Sequence, residues 1–203
     1  IGRPGVIARD NAIYGVASRT FVHQHSKAVA LKPDALARVR DEHVRVSLQL
    51  QRAFGLRREE AIKFAPSVAD GGDRLNLRAS WTKGGRARTV PIRTDAQRAA
   101  LAEAHRVAGR GALIPPERTY RTQLRIYERH TAAAGLSKLH GLRHAYAQAR
   151  YLELTGRPAP AAGGSTRANL TPSELRDDES ARLQISRELG HERESVTTVY
   201  LGR

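Results

Sequence analysis

The chain has no cysteine, which excludes a disulfide framework and leaves any metal site without thiolate ligands. It has no run of about 18 or more apolar residues, the length that spans a bilayer. Its first ten residues, Ile1 to Asp10, contain no apolar stretch of the kind a secretory leader carries. Membrane insertion and export are therefore not indicated, and a reducing cytoplasm is the expected setting. Acidic residues are scarce. Twenty Asp and Glu stand against 35 Lys and Arg, a formal net charge of +15, with a sequence pI near 11.2. Such a surface attracts polyanions and repels its own copies. Nucleic acid is the first candidate, ahead of ribosomal association, an acidic protein partner or an anionic membrane surface. Arginine greatly outnumbers lysine, which suits bidentate phosphate contacts and is also what GC-rich coding produces. No internal repeat is visible.

What is present is the composition of one globular domain: 203 residues, 40% of them hydrophobic. Residues 1–32 show no sustained period and read as an arm or inter-domain linker. From Pro33, the positions Leu36, Val39, His43, Val46, Leu50 and Phe54 recur at three- and four-residue steps. That spacing predicts one long core helix up to Gly55. A short helix over 56–64, closed by Pro66, comes next. Leu75, Leu77, Ala79 and Trp81 alternate with polar residues and, with Arg88 to Ile92, predict a β-hairpin around Lys83-Gly84-Gly85-Arg86. Thr94 and Gln97 form a capping box for a helix to Ala108, and Leu113 to Pro116 reads as a buried turn. The stripe Tyr120, Leu124, Tyr127, Thr131, Ala134 predicts a helix, as does the segment from His140 to Thr155. Residues 157–171, rich in Pro, Gly, Ala and Ser, predict an exposed loop. A helix capped at Thr171 and interrupted near Asp177 follows, and Ser195 is placed to cap a last short helix carrying Tyr200. The sum is an α+β fold, mainly α-helical, with a small antiparallel β-hairpin on one side.

Arg57, Lys83, His140, Arg143, His191 and Tyr200 all fall at element ends or turns, where side chains can converge on a ligand. Cleaving a phosphodiester without a metal needs a nucleophile, cations for the non-bridging oxygens and an acid for the leaving oxygen. This set supplies all three. Individually each has an ordinary reading: arginines on solvated helix ends, a hairpin lysine, a core tyrosine. His140 and His144 have the helical spacing of zinc ligands but no further ligand set nearby. His144, Trp81, Tyr146 and Tyr151 read as core residues.

Taken together, four motifs resemble the catalytic domain of the tyrosine recombinases, the phage integrase family. They are Gly55-Leu56-Arg57-x-x-Glu60-Ala61, the hairpin Trp81 to Ile92, His140-x-Leu142-Arg143-His144, and Leu189-Gly190-His191 followed by Tyr200. The resemblance implies a catalytic domain over 33–203 with an insertion at about 157–180. It implies a site-specific DNA recombinase, the integrase of a mobile element, acting through a 3′-phosphotyrosyl intermediate without metal or cofactor. In its terms Arg57 and Arg143 clamp the scissile phosphate, Tyr200 attacks, Lys83 protonates the leaving oxygen, His140 accepts a proton and His191 donates to a phosphate oxygen. Glu60 is a supporting residue, and Lys83, Arg86 and Arg88 contact DNA. The implied partners are a duplex attachment site and a homotetramer assembled on two such sites from free monomers, in a bacterial, nucleoid-associated setting. A type IB topoisomerase and an inactive DNA-binding protein of the same fold are the alternatives. The sequence offers nothing downstream to anchor the helix that carries Tyr200, so a mobile nucleophile is expected.

Overall fold

The computed structural model describes residues 11–15, 25–82, 85–191 and 193–203. Lys83, at the tip of the expected hairpin, and most of the expected N-terminal arm lie outside the described residues. The long helix expected over 33–54 is two helices, α1 (Pro33–Ala37) and α2 (Glu42–Phe54). Asp41 makes the break. One of its carboxylate oxygens accepts the Val44 N–H at 3.0 Å and the other accepts from Arg118 at 3.0 Å, so α2 has its own N-cap. Val39, in the gap, is still fully buried, which is why the apolar spacing continues across the break.

Helix α2 is the axis of the molecule because it is buried on two sides. Val46, Leu50 and Phe54 face a larger core shared with the β-strands and the helices around residues 100, 146 and 185. Val44 and Leu48 face a smaller core with Leu31, Val39, Ile62, Tyr127 and Leu142. The chain leaves α2 at Gly55 and enters α3 (Arg58–Ile62). Pro66, expected as a stop, instead opens α4 (Pro66–Ala69) at its first position, where its missing N–H costs nothing.

Strands β1 (Arg74–Leu77) and β2 (Arg88–Pro91) pair antiparallel, with Leu75 opposite Val90 and Leu77 opposite Arg88. The alternation expected to run to Trp81 stops at Leu77. Residues Ala79–Trp81 form a 3-10 turn that swings the indole against Phe64, ring centroids 6.1 Å apart. Then come α5 (Asp95–Ala108), with the Thr94–Gln97 box closed in both directions, and α6 (Tyr120–Ala133), capped by Thr119. Helix α7 (Gly141–Thr155) follows, then α8 (Pro172–Glu188). Helix α8 is continuous through Asp177, contrary to the expected interruption, because Asp178 is buried against Arg182 one turn on, with Oδ1 and Oδ2 both 2.8 Å from Nε.

At the end of the chain, residues 157–171 are largely exposed, as expected, but carry two 3-10 turns, Pro160–Ala162 and Arg167–Asn169, and bury Ala159; the last helix differs from expectation. The final helix α9 (Thr198–Leu201) is entered from a 3-10 turn, Glu194–Thr197. Ser195 does not cap it; the Ser195 carbonyl accepts from the Thr198 hydroxyl at 2.6 Å. Tyr146, Tyr151 and Trp81 are buried, as core residues should be. Among the described residues no helix is long and apolar enough to cross a membrane.

Because Asp41 caps α2 and also holds Arg118, Asp41→Ala is expected to lower the unfolding free energy by about 1 to 2 kcal/mol. Urea melts that gave the same midpoint for both proteins would show that the break at 38–41 is set by something else.

Candidate functional site

Glu60 is at the centre. It occupies the third position of α3, its side chain is fully buried, and it reaches back to accept the Arg57 N–H through Oε2 at 2.7 Å, the returning half of a capping box. Its other contacts are guanidinium groups. Arg57 Nη1 donates to Oε1 at 2.8 Å, and Arg88 donates in a fork, Nη1 to Oε1 at 2.8 Å and Nη2 to Oε2 at 2.7 Å. Burial alone would raise the carboxyl pKa. The hydrogen bonds and charge of Arg88, with Arg143 and the Arg57 N–H behind them, overcome it and bring the value down to about 2.

Arg88 was expected at the DNA, and it is turned inward. Its side chain is only 5% exposed, and its Nε donates to the Glu188 carbonyl at 3.0 Å. Arg88 shares its face of β2 with Val90, and both are buried. Arg86, two residues earlier and outside the strand, is exposed, so alternation alone does not separate the two arginines; the pairing of β2 with β1 does. The Arg88 fork therefore connects the start of α3 to the end of α8.

The Leu-Gly-His motif is the C-terminal stop of α8. The Gly190 N–H donates to the Arg187 carbonyl at 2.9 Å and the His191 N–H to the Ser186 carbonyl at 2.8 Å, the paired bonds of a Schellman cap. Gly190 has φ +74°, and a Cβ there would stand 2.9 Å from Arg88 Cδ, so only glycine serves both the turn and the contact. The turn aims His191 at Arg57, with Nε2 3.2 Å from Nη2. A guanidinium only donates, so Nε2 accepts and the ring is neutral with its proton on Nδ1. Its pKa is pushed down to about 4, by burial first and then by Arg143, Arg57 and Arg88, against the opposing pull of Glu60.

Arg143, in the first turn of α7, is 1% exposed. Nη1 donates to the Gly55 carbonyl at 2.6 Å, Nη2 to the Leu189 carbonyl, and Nε to the Tyr200 hydroxyl at 3.2 Å. The one guanidinium thus ties the end of α2, the stop of α8 and the side chain of α9 together. Burial lowers its pKa, yet a guanidinium stays protonated at neutral pH. Tyr200 is 6% exposed. Its ring centroid lies 4.8 Å from that of His144 and 6.1 Å from that of His140, and its carbonyl accepts from Gln148 at 3.0 Å. The mobile tyrosine expected from the sequence is instead packed. His140, before α7, is exposed, and its partial burial, with Arg143, Arg57 and Lys27, lowers its pKa. His140 and His144 meet edge to face at 5.5 Å. Among the described residues no three His, Asp or Glu side chains gather as a metal-binding group.

Five of the six residues expected to act on DNA, Arg57, His140, Arg143, His191 and Tyr200, therefore come together in one cluster whose arginines face Glu60; Lys83 lies outside the described residues. A family model described as Integrase matches residues 17–149, a span that includes Arg57, Lys83, His140 and Arg143 and ends before His191 and Tyr200. Among solved structures, the integrase from mycobacterium phage Brujita is similar, with a TM-score of 0.45 and 17% identity over 97% of this chain and 70% of that one. Comparison with curated proteins finds no match.

Two outcomes follow from the charges. A carboxyl held at about 2, against its usual 4.5, stabilises the fold above the usual value, and that stabilisation is lost as pH falls from about 4.5 towards 2. Glu60→Gln should cost about 3 to 5 kcal/mol at neutral pH, as breaking a buried pair does, and should flatten the dependence in that window; urea melts at stepped pH measure both. By NMR the His191 ring in the DNA-free protein should titrate near 4, and Arg57→Ala should move its midpoint upward. An unmoved midpoint would mean that Arg57 does not set its charge.

Proposed function

The chain belongs to the integrase family, and on that premise we propose that it is a tyrosine-type site-specific recombinase that cuts and rejoins duplex DNA through Tyr200. The observation that carries this reading is the Tyr200 hydroxyl, 3.2 Å from Arg143 Nε and within a cluster where three arginines face a single carboxylate. That excess of positive charge suits a phosphate. In the DNA-free arrangement the Tyr200 hydroxyl fills the acceptor place that a non-bridging phosphate oxygen takes on binding. Arg57, its side chain 20% exposed, holds the second oxygen. The guanidinium groups thereby do what metal ions do at other phosphoryl-transfer sites.

The chemistry balances with the residues of this chain. Tyr200 Oη attacks phosphorus as its proton passes to His140, which burial first, and then Arg143, Arg57 and Lys27, keep neutral and able to accept. The bond from phosphorus to O5′ breaks as Lys83 gives that oxygen a proton, leaving a 3′-phosphotyrosyl bond and a free 5′-hydroxyl. A 5′-hydroxyl from another strand reverses the step, so strands exchange without ATP. His191 begins as an acceptor from Arg57; the charge of the arriving phosphate favours a proton on Nε2, which turns it into a donor. Glu60 orients Arg57 and does not react. Lys83 and Arg86 meet the DNA backbone, whereas Arg88 works inside as the second brace of Glu60. The working form is a homotetramer on two attachment sites in the nucleoid, with residues 33–203 as its catalytic domain and 1–32 as an arm.

A catalytically inactive DNA-binding protein is the second reading, and the near-complete burial of Arg143 and Tyr200 favours it. A nicked suicide duplex carrying the recombination site separates the two. Wild type should form a covalent adduct that survives boiling in detergent, and Tyr200→Phe should not; equal results for both proteins would remove Tyr200 from the chemistry. Arg143→Ala should lose roughly 10²-fold or more in cleavage, as loss of an oxyanion donor does. Its DNA affinity should fall much less, because many basic residues share that work. A filter-binding assay giving the reverse order would overturn the clamp.

A further inference from the structure

The inserted segment at 157–180 has no part in the chemistry proposed above, yet it grips the chain on both sides of Tyr200. Downstream, the Gly202 carbonyl accepts from Arg182 Nη1 at 3.0 Å, and Arg182 is itself fully buried with its Nε on both oxygens of Asp178. The Tyr151 hydroxyl donates to Asp178 Oδ1 at 2.6 Å and fixes that carboxylate. Gly202, φ +80°, lies so close to the 160–162 turn that a Cβ would stand 2.8 Å from Ala161 N and 3.2 Å from Pro160 Cβ. Upstream, Arg167 Nη1 donates to Glu194 Oε1 at 2.7 Å, while its Nη2 meets Glu179 at 2.6 Å and its Nε lies 3.4 Å from Asp178. One half-buried arginine of the insertion thus ties the turn before α9 to α8.

From these contacts we infer that the 157–180 segment is a strap that seats Tyr200 in the site of its own chain, with Arg167 within it and Arg182, just beyond it on α8 and held by Asp178, as positioning residues. The inference rests on the reading of Tyr200 as nucleophile. Helix α9 has only four residues, too few to hold its own conformation in water, so its placement must come from what surrounds it. Leu201, fully buried, and the Gln148 bond supply part of that placement. The strap supplies the remainder, and it does so within one chain, so the tyrosine reaches Arg143 without help from a second copy.

The test uses the full chain with three readouts. Arg167→Ala should speed amide hydrogen exchange in 194–202 severalfold while the amides of α2, α5 and α7 keep their rates. Adduct formation on the suicide duplex should fall with DNA affinity unchanged, and Arg167→Lys should recover part of it. Gly202→Val, which opens the strap from its other end, should act in the same direction. A mixture of Tyr200→Phe and Arg143→Ala proteins should form no more adduct than Arg143→Ala alone, because the intact tyrosine and the intact arginine then sit in different chains. Unchanged exchange in 194–202 in both strap variants would overturn the strap while leaving Tyr200 as nucleophile. More adduct in the mixture than with Arg143→Ala alone would overturn seating within one chain. An adduct with Tyr200→Phe alone would instead remove the nucleophile, and the exchange result would still decide whether the strap exists.

Discussion

The group that the site depends on is the buried carboxylate of Glu60. Removing a carboxylate from water is expensive unless its lone pairs are satisfied, and Glu60 is satisfied by four N–H donors from two residues. The same bonds make three distant pieces of chain rigid with respect to one another: the start of α3, strand β2, and, through Arg88 and the Glu188 carbonyl, the end of α8. Without that carboxylate, Arg57, Arg88 and Arg143 would repel one another and lose the reason to converge.

One carboxylate against three guanidinium groups leaves the site positive, and its other acceptors are neutral. Arg143 is held by two carbonyls and a hydroxyl, which fix its direction without cancelling its charge. That is electrostatic preorganisation: the donors are already aimed, and their charge is left for an anion. The burial of Arg143 works in the same sense, because a cation short of water gains more from a phosphate than a solvated one does. The depressed pKa of His191 comes from its burial first and then from the same arginines, so its ring is neutral at neutral pH.

Helix α8 carries two buried polar networks with separate duties. At its C-terminal end Glu188 accepts from Tyr146 at 2.7 Å and from Arg150 at 3.1 Å, which sets the stop that aims His191. Two turns earlier Asp178 and Arg182 hold the tail beyond Tyr200. The helix thus positions His191 by its own cap and contacts the chain beyond Tyr200 through Arg182 and the Gly202 carbonyl. Tyr200 has little local structure of its own, and the networks on either side of α8 replace what a longer helix would have provided.

Much of this was legible in the residues. Local rules reach what local contacts decide: the Thr94–Gln97 box, the stop at Gly190 and the Thr171 cap of α8 are each settled within a few residues of chain, and four short motifs in order were enough to indicate the family. The break at Asp41 was concealed because Val39 stays in the apolar register while a cap interrupts the backbone. The strand ended early because Trp81 packs on Phe64, a partner that spacing does not name. Arg88 is the clearest division between the two. Its basic side chain at the foot of a hairpin says DNA to a reader of the sequence, and only the tertiary structure, by bringing Glu60 and the Glu188 carbonyl to it, turned it inward. The sequence by itself determined which chemical groups are present and which turns carry them. The tertiary structure decided which cations face solvent and that Tyr200 is seated, because burial and long-range hydrogen bonds are set by segments that meet only when the chain is folded.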